Sequence, residues 1–192
     1  GYGKKSVRMY EEKQQLRREI ARQKKLYSSE QLQAWSDQLM SLLEQTELFR
    51  QAHAVACYHA LPGEVQTAAF LNRWYQKKRL ALPVVQGDDL LLLPYTGPES
   101  VQTGAFGIIE PIVPPQSLSI EREIDLIIVP GVAFDRQLNR MGRGRGFYDR
   151  LLSILSVPKI GIGYSFQLLD RIPVEEFDKK MDLVITEREI IG

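Results

Sequence analysis

The sequence predicts an α/β domain with a mostly parallel sheet covered on both faces and one antiparallel hairpin. Three observations carry that prediction. Short apolar runs at 54–59, 79–85, 125–129, 159–164 and 183–186 alternate with segments of helical spacing, which is the pattern of strands joined through helices. Those runs are short and bounded by turn residues, as buried strands are. Gly87-Asp88-Asp89 separates the strand Arg79–Val85 from an antiparallel partner, Leu90–Leu93, and reads as a hairpin turn.

The elements follow in order. Residues 1–25 hold nine Lys or Arg against three Glu, with Leu16, Ile20 and Leu26 as a thin apolar stripe, so this is a basic helix with one packing face. Residues 1–8 are expected to be flexible or a remnant of expression, and Gly1-Tyr2-Gly3 is left out of the fold argument. Ser28 and Gln31 stand at capping-box spacing before a helix with Leu32, Trp35, Leu39, Leu42 and Leu43 on one face, joined by Phe49. Ala54 to His59 is the first buried strand. The turn at 61–67 leads into a helix from Thr67 to Lys77 with Phe70, Leu71 and Trp74 inward. The segment 112–124 is a Pro-rich and then charged connection. After residue 150, Leu151, Leu152, Ile154 and Leu155 form a helix on the sheet, and Gly161 and Gly163 in the next strand imply close backbone approach.

Composition bounds the function. The chain's 192 residues suit one domain with a sizeable core, and 44% apolar with 26% charged residues is ordinary for a globular protein. A formal net charge of +1 offers no bulk attraction to nucleic acid or membrane. The lone Cys57 excludes an internal disulfide and a cysteine metal cluster, and its place in an apolar run makes it a small buried hydrophobe. There is neither a membrane-length apolar run nor a signal-peptide pattern, which fits a cytoplasmic enzyme or binding protein. No internal repeat is found.

The chemistry concentrates after the strand at 125–129. Pro130-Gly131 ends that strand, and a polar loop follows with Arg140, Arg143 and Arg145 interleaved with Gly142, Gly144 and Gly146. Phe147-Tyr148-Asp149-Arg150 then opens a helix. Glycines let backbone N–H groups approach an anion, a helix N-terminus adds partial positive charge, and arginines add full charge and forked donors. The spacing matches neither the Walker loop nor the dinucleotide fingerprint. Asp149, directly after the loop, is placed to meet a metal, although an acid in a first helical turn also serves as a dipole partner. Lys13 and Arg17, at i and i+4, project together from the N-terminal helix.

Pro130-Gly131-Val132-Ala133-Phe134-Asp135 and Asn139 to Arg150 closely resemble the signature PGxxFDxxGxRLGxGxGYYD of the 5-formyltetrahydrofolate cyclo-ligase family, also called methenyltetrahydrofolate synthetases. Leu138 stands at a usual Gly, Met141 at Leu and Phe147 at the first Tyr, while Arg145 occupies a position that is often Gly. Phe147 removes a phenol. The similarity extends from about Lys13 to Thr186 and implies a single three-layer α/β/α domain over 1–192, acting as a monomer on small molecules.

The resemblance implies ATP- and Mg2+-dependent conversion of 5-formyltetrahydrofolate to 5,10-methenyltetrahydrofolate. Lys13-Gln14-Gln15-Leu16-Arg17 is similar to the family's N-terminal Lys-x-x-Leu-Arg motif and brings Lys13 and Arg17 to ATP. Arg140, Met141, Gly142, Arg143, Gly144, Arg145, Gly146, Phe147 and Tyr148 then complete the ATP site. Arg143 and Arg145 stabilise charge during phosphoryl transfer. Glu64, with His59 beside it, would contact the folate, as would Phe106 in the segment before Glu110-Pro111 and the stretch Arg143, Gly144, Arg145, Gly146, Phe147. Asp149 and Asp178 would hold the metal, with Asp135 and Asp182 as further acids; for Asp178 a structural role is equally open. Phe177 replaces a His beside Asp178 in that pattern. Two other readings stay open. One is a folate-binding relative without turnover, given Leu138 and Phe147. The other is an RNA-binding protein that tracks phosphates with the Arg/Gly loop and stacks bases on Phe147, Tyr148 and Tyr164.

Overall fold

The computed structural model describes residues 2–112 and 119–192. Helix α1 (Tyr2–Lys24) is followed by α2 (Ser29–Glu44) and α3 (Glu47–Gln51), then strand β1 (Ala54–Ala56) and helix α4 (Ala68–Trp74). Next come β2 (Arg79–Gln86), β3 (Asp89–Tyr95), β4 (Val101–Thr103), β5 (Ile109–Pro111), β6 (Leu126–Val129), β7 (Ala133–Asp135) and β8 (Arg140–Met141). Helix α5 (Phe147–Ile154), β9 (Lys159–Ile162), β10 (Leu168–Leu169), β11 (Leu183–Ile185) and β12 (Ile190–Ile191) complete the chain.

Seven strands form one sheet in the order β12-β11-β9-β6-β1-β2-β3. Its five central strands pair in parallel, and the antiparallel pairs β2–β3 and β11–β12 close its edges. The hairpin expected at Gly87 is the β2–β3 turn, with Gln86 opposite Asp89.

Alternation along each strand divides the core in two. Val55 and Ile128 face α2, α3 and α4, packing with Leu39, Leu43, Phe49, Phe70 and Leu71. Ala56, Ile127 and Val129 face the other side, with Leu151, Leu152 and Leu155. This is the three-layer arrangement, and each fully buried Leu, Ile or Phe stabilises it by roughly 1.5–3 kcal/mol. Ser28 caps α2 as its spacing suggested, accepting a hydrogen bond from Gln31 N–H at 3.1 Å.

Strands β1, β9 and β11 end at Ala56, Ile162 and Ile185, short of the runs read for them, while β6 ends at Val129 as read and β2 runs on to Gln86. Two small sheets, β10-β7-β8 and β4-β5, carry no expected strand, being made of two- and three-residue pieces with no readable period. Leu26 and Ile154 were expected on packing faces and stand 75% and 68% exposed. Leu26 lies beyond the end of α1, and Ile154 closes the last turn of α5 on its outer side. Residues 2–8 are helical and belong to α1. From 113 to 118 the connection expected over 112–124 lies outside the described residues; Glu121–Glu123 forms a single 3-10 turn.

Among the described residues no helix is long and apolar enough to cross a membrane.

Candidate active site

The glycine–arginine loop lies beyond the C-terminal end of β6, as ligand loops do in open α/β sheets. The turn feeding it is built by Asp135, which is 1% exposed. Its carboxylate accepts from the N–H groups of Gln137, Asn139 and Ile172 and from the Asn139 side chain. Gly144 and Gly146 take φ of +103° and +73°, which side chains of L-residues rarely adopt. Gly146 precedes α5, and the helix's first internal bond runs from Arg150 N–H to Gly146 C=O. The N–H groups of Phe147, Tyr148 and Asp149 therefore have no partner within the helix and are free for an anion.

Helix α1 closes over this loop. Leu16 and Ile20 dock on Ala133, Met141 and Ile172, and this packing fixes the helix's rotation. Arg17 then donates through Nε to the Gly142 carbonyl at 2.9 Å and through a terminal nitrogen to Gln14 Oε1 at 3.1 Å. Lys13 is buried, with its ammonium 3.1 Å from Asp178 Oδ2 and 3.5 Å from Glu175 Oε1.

The two expected metal acids share one charged neighbourhood. Asp149 Oδ1 lies 3.9 Å from the buried Arg140 guanidinium. Burial pushes the Asp149 carboxyl above its ordinary value; Arg140 pulls it back, Asp178 adds to the rise and Lys13 opposes it. Asp178 is oriented by the Glu175 N–H, which donates to Oδ2 at 2.8 Å. Among the described residues no group of three or more His, Cys, Asp or Glu forms a metal cage. Two carboxylates without a cage suit Mg2+, which usually takes one or two carboxylates and fills its shell with phosphate oxygens and waters.

On the other side of the loop, Arg143 lies 3.7 Å from Glu64 Oε2, whose other oxygen accepts from Leu61 N–H at 2.8 Å. Lys24 joins them: burial lowers its pKa while Glu64 raises it and Arg143 lowers it further. Arg145 stacks its guanidinium 4.1 Å from the centre of the Phe106 ring, and that ring is 6.1 Å from Phe147. Phe106 itself is held at φ +59°. His59 is half-buried with no hydrogen-bond partner on Nδ1, and burial lowers its pKa.

Several expectations need correcting. The Met141 side chain is 2% exposed and packs under α1 with Ile20, Ala133 and Ile172, which leaves only its backbone for the ATP contact the resemblance implies. Arg140 is 7% exposed, with Nε bonded to the Pro130 carbonyl at 2.6 Å and its guanidinium over the Tyr148 ring, so it holds Asp149 from below. Asp135 is spent on its turn, and Asp182 accepts from Lys159 N–H at 2.8 Å. Gln167 is a buried strut donating to the carbonyls of Gly131 and Val132. The RNA reading loses its stacking platform, because Tyr164 is 0% exposed and Phe147 and Tyr148 are half-buried against the core.

Glu175 and Lys24 were missed. Lys24 is seven residues after Arg17, hence on the same face of α1, and that spacing was a readable signal. Glu175 had none, since only the fold brings it to Lys13.

Three comparisons place this geometry among known proteins. A family model described as the 5-formyltetrahydrofolate cyclo-ligase family matches residues 9–187. A 5-formyltetrahydrofolate cyclo-ligase of Haemophilus influenzae is 34% identical over 179 residues, covering 88% of this chain and 94% of that protein. One from Escherichia coli K12 is 29% identical, with 89% and 98% covered. The solved structure of Aquifex aeolicus 5,10-methenyltetrahydrofolate synthetase superposes with a TM-score of 0.83 at 33% identity, covering 93% of this chain and 91% of that one.

Proposed function

The chain belongs to the 5-formyltetrahydrofolate cyclo-ligase family, and from that premise we propose how its residues carry the reaction. The activity is ring closure of 5-formyltetrahydrofolate to the 5,10-methenyl form. The obstacle is a formamide oxygen that does not leave. In our reading ATP supplies the activation: the formyl oxygen attacks the γ-phosphorus, the bond to the ADP oxygen breaks, and the formyl carbon becomes electrophilic. The neighbouring folate nitrogen then attacks that carbon and loses its proton, the carbon–oxygen bond breaks, and phosphate leaves.

The protein's contribution is positioning and charge stabilisation. The N–H groups at Gly142, Gly144 and Gly146 and at the start of α5 cradle the phosphates. Lys13 and Arg17 close on them from α1, and Arg143 and Arg145 meet the negative charge that develops on the transferred group. Tyr148 and Phe147 support the loop from beneath. Glu64, His59 and Phe106 line the folate side. Asp149 and Asp178 would hold Mg2+, which when bound neutralises part of the triphosphate charge. Arg140 keeps Asp149 in place.

The observation that carries this reading is the reach of the loop in two directions. Arg17 grips it at Gly142 from one side, and its own Arg143 approaches Glu64 on the other, so a triphosphate lying there has a folate wall at one end. Two substrates that must exchange a phosphoryl group need such an arrangement.

The test is ATP hydrolysis with and without 5-formyltetrahydrofolate and Mg2+. Hydrolysis appears only with both, and the 5,10-methenyl product appears with it in the near-ultraviolet. Asp149→Ala abolishes turnover while circular dichroism stays native. Hydrolysis without folate, or full activity in Asp149→Ala, contradicts the assignment.

A further inference from the structure

Among the described residues, three aromatic rings are kept largely in solvent: Tyr10 at 61%, Phe106 at 55% and Phe177 at 59% exposed. All three stand around the glycine–arginine loop. Phe106 contacts Arg145 of the loop, two residues on from the Arg143 that meets Glu64. Phe177 lies at the opposite side, where the Lys13 ammonium sits 5.6 Å from its ring centre and 3.1 Å from the adjacent Asp178. Tyr10 belongs to that second side too, since its hydroxyl accepts from Gln14 Nε2 at 3.0 Å and Gln14 accepts from Arg17 at 3.1 Å. Aromatic rings left this exposed beside a charged loop point to a flat ligand.

We propose that Phe177 is the stacking platform for the nucleobase of the triphosphate, with Tyr10 bounding the same subsite. This rests on the function proposed above. The loop, Lys13 and the acids Asp149 and Asp178 hold only phosphates, so the base must lie beyond them, away from Glu64. Along α1, Tyr10 lies seven residues and about 10 Å before Arg17, a span that ribose and phosphates bridge. Lys13 steadies the Phe177 ring by cation–π contact and leaves more than half of its surface open. The pairing also orders the site. The base is at Phe177, the phosphates pass Lys13 and Arg17, and the terminal phosphate arrives between Arg143 and Arg145.

Every base has a π-face, so a stacking platform binds nucleotides with little help from hydrogen bonds, and its loss costs about a factor of ten or more in affinity. The experiment compares ATP with inorganic tripolyphosphate, which has the charge but no base. Phe177→Ala raises KM for ATP about tenfold. It leaves KM for 5-formyltetrahydrofolate and the inhibition constant of tripolyphosphate within twofold. Phe177→Trp restores the KM for ATP, and Tyr10→Ala gives a smaller rise of the same kind. An unchanged KM for ATP in Phe177→Ala overturns the proposal. So does an equal weakening of tripolyphosphate, which would show that the ring acts only through Lys13 and Asp178. Failure of the parent reading is separate, because the wild-type chain would then give no ATP-dependent methenyl product.

Discussion

Arg17 and Gly142 are 125 residues apart in the chain, yet the Arg17 Nε–H meets the Gly142 carbonyl at 2.9 Å. The bond does more than tie helix to loop. The C=O and N–H of a trans peptide unit point in opposite directions, so turning the Gly142 carbonyl towards Arg17 turns the following N–H away from it. It also occupies a carbonyl that would otherwise repel a phosphate.

Arg17→Ala therefore removes a loop anchor and a positive charge together. A hydrogen bond from a charged group is worth about 1.5–3 kcal/mol, so KM for ATP rises roughly 10- to 100-fold. Arg17→Lys recovers only part of this, because an ammonium cannot serve Gly142 and Gln14 with one planar fork. Steady-state kinetics on the two variants, with folate saturating, checks the order.

Leu138 holds φ at +71°, at the position where the motif usually has Gly. The left-handed conformation costs an L-residue roughly 1–2 kcal/mol. Leu138 offsets this by packing on the second core cluster, and its carbonyl accepts from Met181 N–H at 2.8 Å. Leu138→Gly should therefore change stability by less than about 1 kcal/mol, strain relief and lost packing nearly cancelling. Leu138→Val loses about 2 kcal/mol, because branching at Cβ worsens the same backbone angle. Urea denaturation of the three proteins separates these outcomes.

His59 titrates below its ordinary value because burial disfavours the imidazolium. Its folded pKa is thus lower than its unfolded one near 6.5. The stability it permits is complete above that unfolded value and declines as pH falls through the folded pKa. His59→Gln flattens this acid-side loss. Thermal melts from pH 8 to pH 5 on both proteins show it, and parallel melting curves would remove His59 as the cause.

Cys57 is 2% exposed, and burial pushes its thiol up to about 12. The native protein is therefore inert to thiol reagents at pH 8 and reacts fully once unfolded. The sign is that of a raised pKa: stability is complete below about pH 8.5, the usual thiol value, and falls as pH approaches 12. Titration with a chromogenic disulfide, with and without denaturant, reads the difference.

The chain's order of apolar runs and helical stripes was enough to determine the layered α/β domain, and the residues from Pro130 to Arg150 were enough to name its family. Both are local patterns, in which period, turn chemistry and motif are written consecutively along the chain. What the tertiary structure alone decided is which charges meet. Arg140 and Arg143 are three residues apart in one loop, yet one is buried beneath Asp149 and the other reaches Glu64. Glu175 comes to Lys13 only because α1 docks through Leu16 and Ile20 against the sheet that carries Met141. Burial and long-range contact are properties of packing, and packing depends on residues far apart in sequence. A side chain's type announces what it can do; only its neighbours decide whether it faces a ligand or the core.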